Sequence, residues 1–263
     1  MTEISPAKKS DLPVRVASAM VMVAVAGTAL WLGGWVWAVF VALVAVGVFW
    51  EWMRLAFAIS AKTGPRILWG VAGLLYVGLA AAVLLTLRGP YDGIFNVGQV
   101  LLAVIGVDVG AYFAGRAIGG PKIAPSISPS KTWAGLLGGM VGGSILLSSI
   151  SWAWPAGLCQ TYVDFTEITD AAQAQNTFSF DSRCHLWVPD WSVAWQFIMV
   201  GTVIAIVAQA GDFFESWMKR KAGVKDSSNL IPGHGGLYDR ADGMLAVCFV
   251  GGLIMLAVSQ FPL

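Results

Sequence analysis

Asp212, Glu215 and Ser216 stand at i, i+3 and i+4, a spacing that puts three oxygen-bearing side chains on one face of a helix. Asp239 and Asp242 repeat the i, i+3 spacing further along, with Arg240 turned away from them. Two acidic faces brought close together repel unless a cation neutralises them. Oxygen donors with no histidine pair and no cysteine among them favour a hard ion such as Mg²⁺ over zinc. Pairing with the nearby lysines and arginines is the alternative, and it would satisfy only one or two of the carboxylates.

Between the acidic faces lie Ser216-Trp217-Met218-Lys219-Arg220-Lys221, then Lys225-Asp226, then Pro232-Gly233-His234-Gly235-Gly236. Lysine and arginine supply donors for phosphate oxygens, and arginine can grip two oxygens at once. The glycines around His234 let backbone N–H groups approach an anion closely. Positive charge alone would suit a cluster beside anionic headgroups. Interleaved carboxylates, glycines and a histidine fit that poorly, because headgroups do not require them. The stretch 211–242 is therefore read as a site for metal-assisted phosphate chemistry.

A second polar stretch carries Asp108, Gly110, Tyr112 and Arg116, followed by Ser128-Pro129-Ser130-Lys131-Thr132. Ser130-Lys131-Thr132 looks like the end of a P-loop, but the preceding G-x-x-x-x-G is missing, so that motif is rejected. Thr132 suits the cap of a following helix, with Pro129 setting the entry. Capping leaves Asp108, Arg116 and Lys131 unexplained, and these are read as a second wall of the same site.

The elements that must position these residues are membrane helices. Of 263 residues 57% are hydrophobic and 12% charged, about half the charge of a soluble domain. Apolar runs of spanning length fall at about 16–32, 35–57, 67–87, 94–113, 133–154, 194–213 and 244–261. The expected fold is all-α: a polytopic transmembrane bundle of about seven to nine membrane helices, forming one integral membrane domain over 1–263. Gly33-Gly34 allows only a minimal turn between the first two runs. Gly138-Gly139 with Gly142-Gly143 makes a small-xxx-small pattern that lets helices approach closely. A net charge of +1 argues against nucleic acid as a partner.

Lysine and arginine set the orientation. With a cytoplasmic N-terminus, the cytoplasmic side holds Lys8, Lys9, Arg15, Arg54, Lys62, Arg66, Arg116, Lys122, Lys131, Lys219, Arg220, Lys221, Lys225 and Arg240, and the far side only Arg88 and Arg183. Glu51, Asp108, Asp212, Glu215, Asp239 and Asp242 then all fall at cytoplasmic helix ends, at one depth. The acidic loop at about 155–192 lies outside, in the periplasm of an inner-membrane protein. It contains Cys159 and Cys184, either bridged by a disulfide or left as two thiols. Cys248 sits in an apolar run and reads as a small core or lipid-facing residue.

At these residues the chain closely resembles the phosphatidate cytidylyltransferase family, the CDP-diacylglycerol synthases. The family signature is S-x-hydrophobic-K-R-x4-K-D-x-small-x2-hydrophobic-P-x-H-G-G-hydrophobic-x-D-R-x-D. It is matched without a gap from Ser216 through Lys219, Arg220, Lys225, Asp226, Ser228, Ile231, Pro232, His234, Gly235, Gly236, Leu237, Asp239 and Arg240 to Asp242. Asp108 to Trp133 resembles the family's second motif, although Ala134 stands where many members have glutamate.

The resemblance implies transfer of CMP from CTP to phosphatidic acid, giving CDP-diacylglycerol and pyrophosphate. It implies Asp212 and Asp239 as principal Mg²⁺ ligands, with Asp242 and Glu215 in support and room for a second, monovalent cation. Asp212, Asp239, Lys219 and Arg220 would form the catalytic set. Ser216, Lys225, His234, Gly235, Gly236, Lys131, Ser128, Thr132, Arg116 and Asp108 would contact substrate. The expected partners are CTP, phosphatidic acid and membrane lipid; a homodimer is one assembly left open. Two competing readings are a CTP-dependent polyprenol-type kinase, which would leave CDP, and an ion-coupled transporter, which broken helices in matched repeats would favour.

Overall fold

The computed structural model describes residues 12–89, 93–153 and 191–259. The loop at about 155–192, with Cys159, Cys184 and any bridge between them, lies outside these residues, as do Lys8 and Lys9.

Each of the seven apolar runs forms a helix: α1 (Leu12–Leu32), α2 (Gly34–Ile59), α3 (Thr63–Leu87), α4 (Gly93–Ala117), α5 (Trp133–Ala153), α6 (Trp191–Ala222) and α7 (Tyr238–Ser259). Between α4 and α5 two short strands, β1 (Lys122–Ala124) and β2 (Ser128–Thr132), pair with one another. Six of the helices are long and apolar enough to cross a membrane; α5 adds a shorter apolar segment over Trp133–Ser149.

Two helices run on past the apolar runs that announce them. α4 continues to Ala117, and α6 continues through Lys219-Arg220-Lys221 to Ala222. Lysine and arginine are good helix formers, so nothing stops α6 before Gly223, whose φ is 72°. Asp212 and Glu215 therefore lie inside a helix rather than at its end, and the basic run is its last turn, not a loop. Asp108 likewise sits within α4, and Glu51 within α2.

The chain divides into two compact units. One comprises Met1–Gly89, Ser126–Ser128 and Ala208–Leu263; the other comprises Pro90–Pro125 and Pro129–Val207.

The first unit is organised around Trp52 of α2, which is 2% exposed. Its ring lies 5.6 to 5.9 Å from those of Trp69, Tyr76, Phe214 and Tyr238, so one side chain joins α3, α6 and α7 to α2. The indole Nε1 donates to Trp69 O at 2.8 Å. Val48, Glu51, Trp52 and Leu55 form one buried stripe on α2, which places a carboxylate in the same layer as the aromatic core. The α1–α2 turn is as tight as Gly33-Gly34 suggests. Gly33 has φ 63°, and a Cβ there would lie 2.5 Å from Arg88 Nη2. Arg88 Nε in turn donates to Leu30 O at 2.9 Å, satisfying a carbonyl at the end of α1. Cys248 is buried in α7.

The second unit rests on backbone contact between α4 and α5. A Cβ on Gly106 would lie 2.5 Å from Gly142 O, and one on Gly110 would run into Gly138 O. The small-xxx-small pattern is thus matched by glycines on the partner helix. Gly110→Ala should cost about 1–3 kcal/mol, because neither backbone can yield. In detergent it should lower the unfolding temperature. Gly27→Ala, where nothing lies within 4 Å, should leave it unchanged or slightly raised.

Candidate active site

The site in the first unit forms where α6 and α7 approach on a glycine. A Cβ on Gly211 would lie 2.5 Å from Ala246 Cβ and 2.7 Å from Asp242 O, so only hydrogen fits there. This close crossing sets Asp212 beside Asp242. With Glu215, one turn along α6, they offer three carboxylate oxygens that all lie within 4.8 Å of one another. Glu215 is buried, its Oε2 is 2.6 Å from Lys219 Nζ, and its Oε1 has no hydrogen-bond partner. A buried carboxylate oxygen without a donor costs free energy unless a cation meets it. An orphan oxygen beside two further carboxylates fits a hard divalent cation, which takes oxygen ligands. Ser216 Oγ adds a contact to Asp212 Oδ1 at 3.5 Å.

Gly211→Ala would push α6 from α7 and spread this donor set. It should weaken the binding of a hard divalent cation about 10-fold or more, read by titrating Mg²⁺ against the unfolding temperature. Unchanged Mg²⁺ dependence would show that the close crossing does not set the donor geometry.

Asp239 takes other partners. Its Oδ1 accepts from Lys219 Nζ at 2.8 Å, and its Oδ2 accepts from Ser227 N at 3.0 Å and Gly236 N at 2.8 Å. It lies in the first turn of α7, where a carboxylate complements the helix dipole and reaches back to an unpaired N–H. Lys219 thus bridges Glu215 on α6 and Asp239 on α7. The Gly236 N–H serves this carboxylate.

A residue without a role in the sequence reading organises the other side of the loop. Glu51 is fully buried and accepts from Ser227 Oγ at 2.9 Å, Ser228 Oγ at 2.5 Å, Leu237 N at 3.0 Å and Tyr238 N at 2.7 Å. Two of these are backbone donors at the start of α7, which have no partner within their own helix. Glu51 therefore caps α7 from α2. Ser227 Oγ also lies 3.0 Å from Asp239 Oδ2, so its single proton serves one acid at a time. A Cβ on Gly236 would lie 2.6 Å from both Glu51 oxygens, which explains the glycine.

Between these anchors the chain turns sharply. Ile231 N donates to Gly235 O at 2.8 Å and His234 N to Ile231 O at 3.0 Å, with Gly233 and Gly235 at φ 78° and 85°. Only glycine adopts that backbone without strain. His234 sits at the tip, its Nδ1 2.8 Å from Ser18 Oγ of α1, and Arg240 Nε donates to His234 O at 3.0 Å. Lys225, His234, Gly235 and Arg240, joined by Arg15, line a cavity of about 560 Å³. Arg220 is exposed at the end of α6, its Nε 3.4 Å from Ile127 O. Ser128, also in this unit, is buried.

The second unit carries the other residues singled out in the sequence. Asp108 and Arg116 are exposed and two helical turns apart on α4, and Arg116 Nη1 donates to Tyr112 Oη at 3.0 Å. Thr132 Oγ1 accepts from Gly135 N at 3.0 Å, the capping bond expected of it, and Lys131 precedes it on β2.

Fold and site together define a helical integral membrane protein with a carboxylate cluster suited to a hard cation and phosphate chemistry. A model described as the cytidylyltransferase family matches residues 57–258, and the chain belongs to that family. Among similar proteins, the phosphatidate cytidylyltransferase of Rickettsia bellii is 30% identical over 253 residues, covering 94% of each chain. That of Brucella suis is 38% identical over 182 residues, 68% of this chain and 53% of its own length. That of Haemophilus influenzae is 35% identical over 157 residues, 60% and 44% respectively. The chain thus spans about half the length of the Brucella relative and nearly all of the Rickettsia one.

Proposed function

We propose that this protein transfers the cytidylyl group of CTP to phosphatidic acid, forming CDP-diacylglycerol and pyrophosphate at the cytoplasmic face of a bacterial inner membrane. The observation that carries the reading is the gathering of Asp212, Glu215 and Asp242 next to the Lys219–Asp239 pair, in a chain of the cytidylyltransferase family. The names of the relatives support the choice of lipid acceptor. The cytoplasmic placement rests on the lysine and arginine bias, which puts Arg15, Lys219, Arg220, Lys225 and Arg240 on one side of the membrane.

In this reading a phosphate oxygen of phosphatidic acid forms a bond to the α-phosphorus of CTP. The bond from that phosphorus to the bridging oxygen of the β-phosphate breaks, and pyrophosphate leaves with the electron pair. A phosphate monoester is already largely ionised at pH 7, its second pKa being near 6, so no side chain need remove a proton. His234 then serves as a polar contact rather than a base. Asp212, Glu215 and Asp242 would hold Mg²⁺, with Asp239 within one turn of them. Bound there, the ion would offset the charge that gathers on the phosphates during transfer. Lys219 is fixed by two carboxylates from two helices, so its charge is already oriented before substrate arrives. Lys225, His234 and Arg240 line the adjoining cavity and would meet phosphate oxygens as direct donors. Asp108, Arg116, Lys131 and Thr132 are proposed as substrate-binding residues on the family resemblance alone.

The reading is tested by incubating the purified full chain with CTP, phosphatidic acid and Mg²⁺ and identifying the lipid product by mass. CDP-diacylglycerol should form in step with pyrophosphate, and omission of Mg²⁺ should abolish both. A lipid diphosphate with CDP as by-product would instead identify a kinase.

A further inference from the structure

Arg15 lies outside residues 57–258, the segment that the family model matches, yet it lines the same cavity as Lys225, His234 and Arg240. Contact with the 231–235 turn is close. A Cβ on Gly233 would lie 2.8 Å from Arg15 Cγ, and Ser18 Oγ, one turn along α1, lies 2.8 Å from His234 Nδ1. The start of α1 is therefore seated on the glycine turn, and Gly233 is the residue that admits the arginine.

The charge of the cavity is one-sided. Arg15, Lys225 and Arg240 face it with only the Asp226 carboxylate among its lining acids. Among the described residues none of the three cations is ion-paired. Arg240 spends its Nε on His234 O, which leaves its two terminal nitrogens for another acceptor. A cavity of about 560 Å³ holds more than a single phosphate group. The rest of α1 suits a lipid setting, since Ala29 is its one buried residue among those described and Met20, Val21 and Val23 are 62%, 62% and 73% exposed. An apolar, lipid-facing helix whose polar end brings a guanidinium over a glycine turn delivers cationic charge where the membrane meets the site.

We infer that Arg15, set in place by the Ser18–His234 contact, completes with Lys225 and Arg240 a phosphate-binding subsite. This inference rests on the cytidylyltransferase reading for the identity of the phosphate, which either the lipid acceptor or the triphosphate tail of CTP supplies. Arginine suits the role because its fork can meet two phosphate oxygens at once.

The test uses the full chain as wild type, Arg15→Gln and Arg15→Lys. Turnover is measured with CTP and phosphatidic acid varied separately. In parallel, the unfolding temperature is followed with inorganic pyrophosphate and with a short-chain phosphatidic acid. Arg15→Gln should raise KM for one substrate about 10-fold, the worth of a hydrogen bond to a charged group, with kcat within about twofold. Arg15→Lys should recover part of the loss. The substrate whose KM rises names the source of the phosphate, and the matching ligand should lose its stabilising shift in Arg15→Gln. If Arg15→Gln lowers the unfolding temperature without ligand, Ser18→Ala carries the test by the same KM criterion. Unchanged KM for both substrates, or a wild type stabilised by neither ligand, would overturn the subsite. A wild type that both ligands stabilise but that makes no CDP-diacylglycerol would overturn the reaction and leave the subsite standing.

Discussion

Replacing Glu51 with alanine is expected to lower turnover at least about 100-fold and to destabilise the protein by roughly 3–5 kcal/mol, the range for removing one partner from a buried charged network. The loss has two parts. Ser228 and the N–H groups of Leu237 and Tyr238 give up their acceptor, while Ser227 can still turn to Asp239, and each buried donor left without one costs about 1–3 kcal/mol. The start of α7 also loses its cap, so Asp239 and Asp242 no longer hold their places relative to α6. Glu51→Gln should fall between wild type and alanine, since its amide retains one acceptor oxygen but turns donors toward donors. Unfolding temperature and turnover measured together check this. A Glu51→Ala protein that melts like wild type, with turnover intact, would show that the four hydrogen bonds do not hold the loop.

The carboxylates should separate into two classes. Asp212→Asn and Asp242→Asn remove oxygens from the cluster within 4.8 Å and should each reduce turnover by about 100-fold or more. With Mg²⁺ held there as proposed, part of that loss should return at raised Mg²⁺, because two of the three oxygen donors remain. Asp239→Asn should reduce turnover as strongly, yet raised Mg²⁺ should not restore it. Its carboxylate acts on Lys219, Ser227 and Gly236, so what is lost is the orientation of the lysine and the loop. Mg²⁺ titrations of the three variants side by side give the comparison. Identical rescue in all three would place Asp239 in the metal set with the others.

How much of this could be read from the sequence depends on the distance over which the signal acts. The helices are legible because each is a continuous apolar run of spanning length, and Gly33-Gly34 and Thr132 announce their own turn and cap. The extension of α6 to Ala222 is less so, because the apolar run stops at about 213 while the helix continues through Glu215 and Lys219. That extension moves Asp212 and Glu215 from a helix end to a helix interior. The i, i+3 and i+4 spacing within α6 correctly puts Asp212, Glu215 and Ser216 on one face. The same spacing in α7 misses the divergence of Asp239 and Asp242, because Asp239 turns back to the preceding loop. Glu51 illustrates the limit. Its partners lie 176 to 187 residues away, so its spacing from any neighbour carries no sign of them. A buried acid in an apolar helix is itself the available signal, since such a residue is costly without partners. Arg15 and Ser18 are hidden in the same way, 216 residues separating Ser18 from His234.

The central claim is most directly tested by following each phosphate of CTP. Two reactions are run with wild-type protein, phosphatidic acid and Mg²⁺, one with CTP labelled at the α-phosphorus and one at the γ-phosphorus. Cytidylyl transfer predicts that α-label enters the lipid, that γ-label leaves in pyrophosphate, and that Asp242→Asn suppresses both. Appearance of γ-label in the lipid, with α-label retained in soluble CDP, would contradict the account.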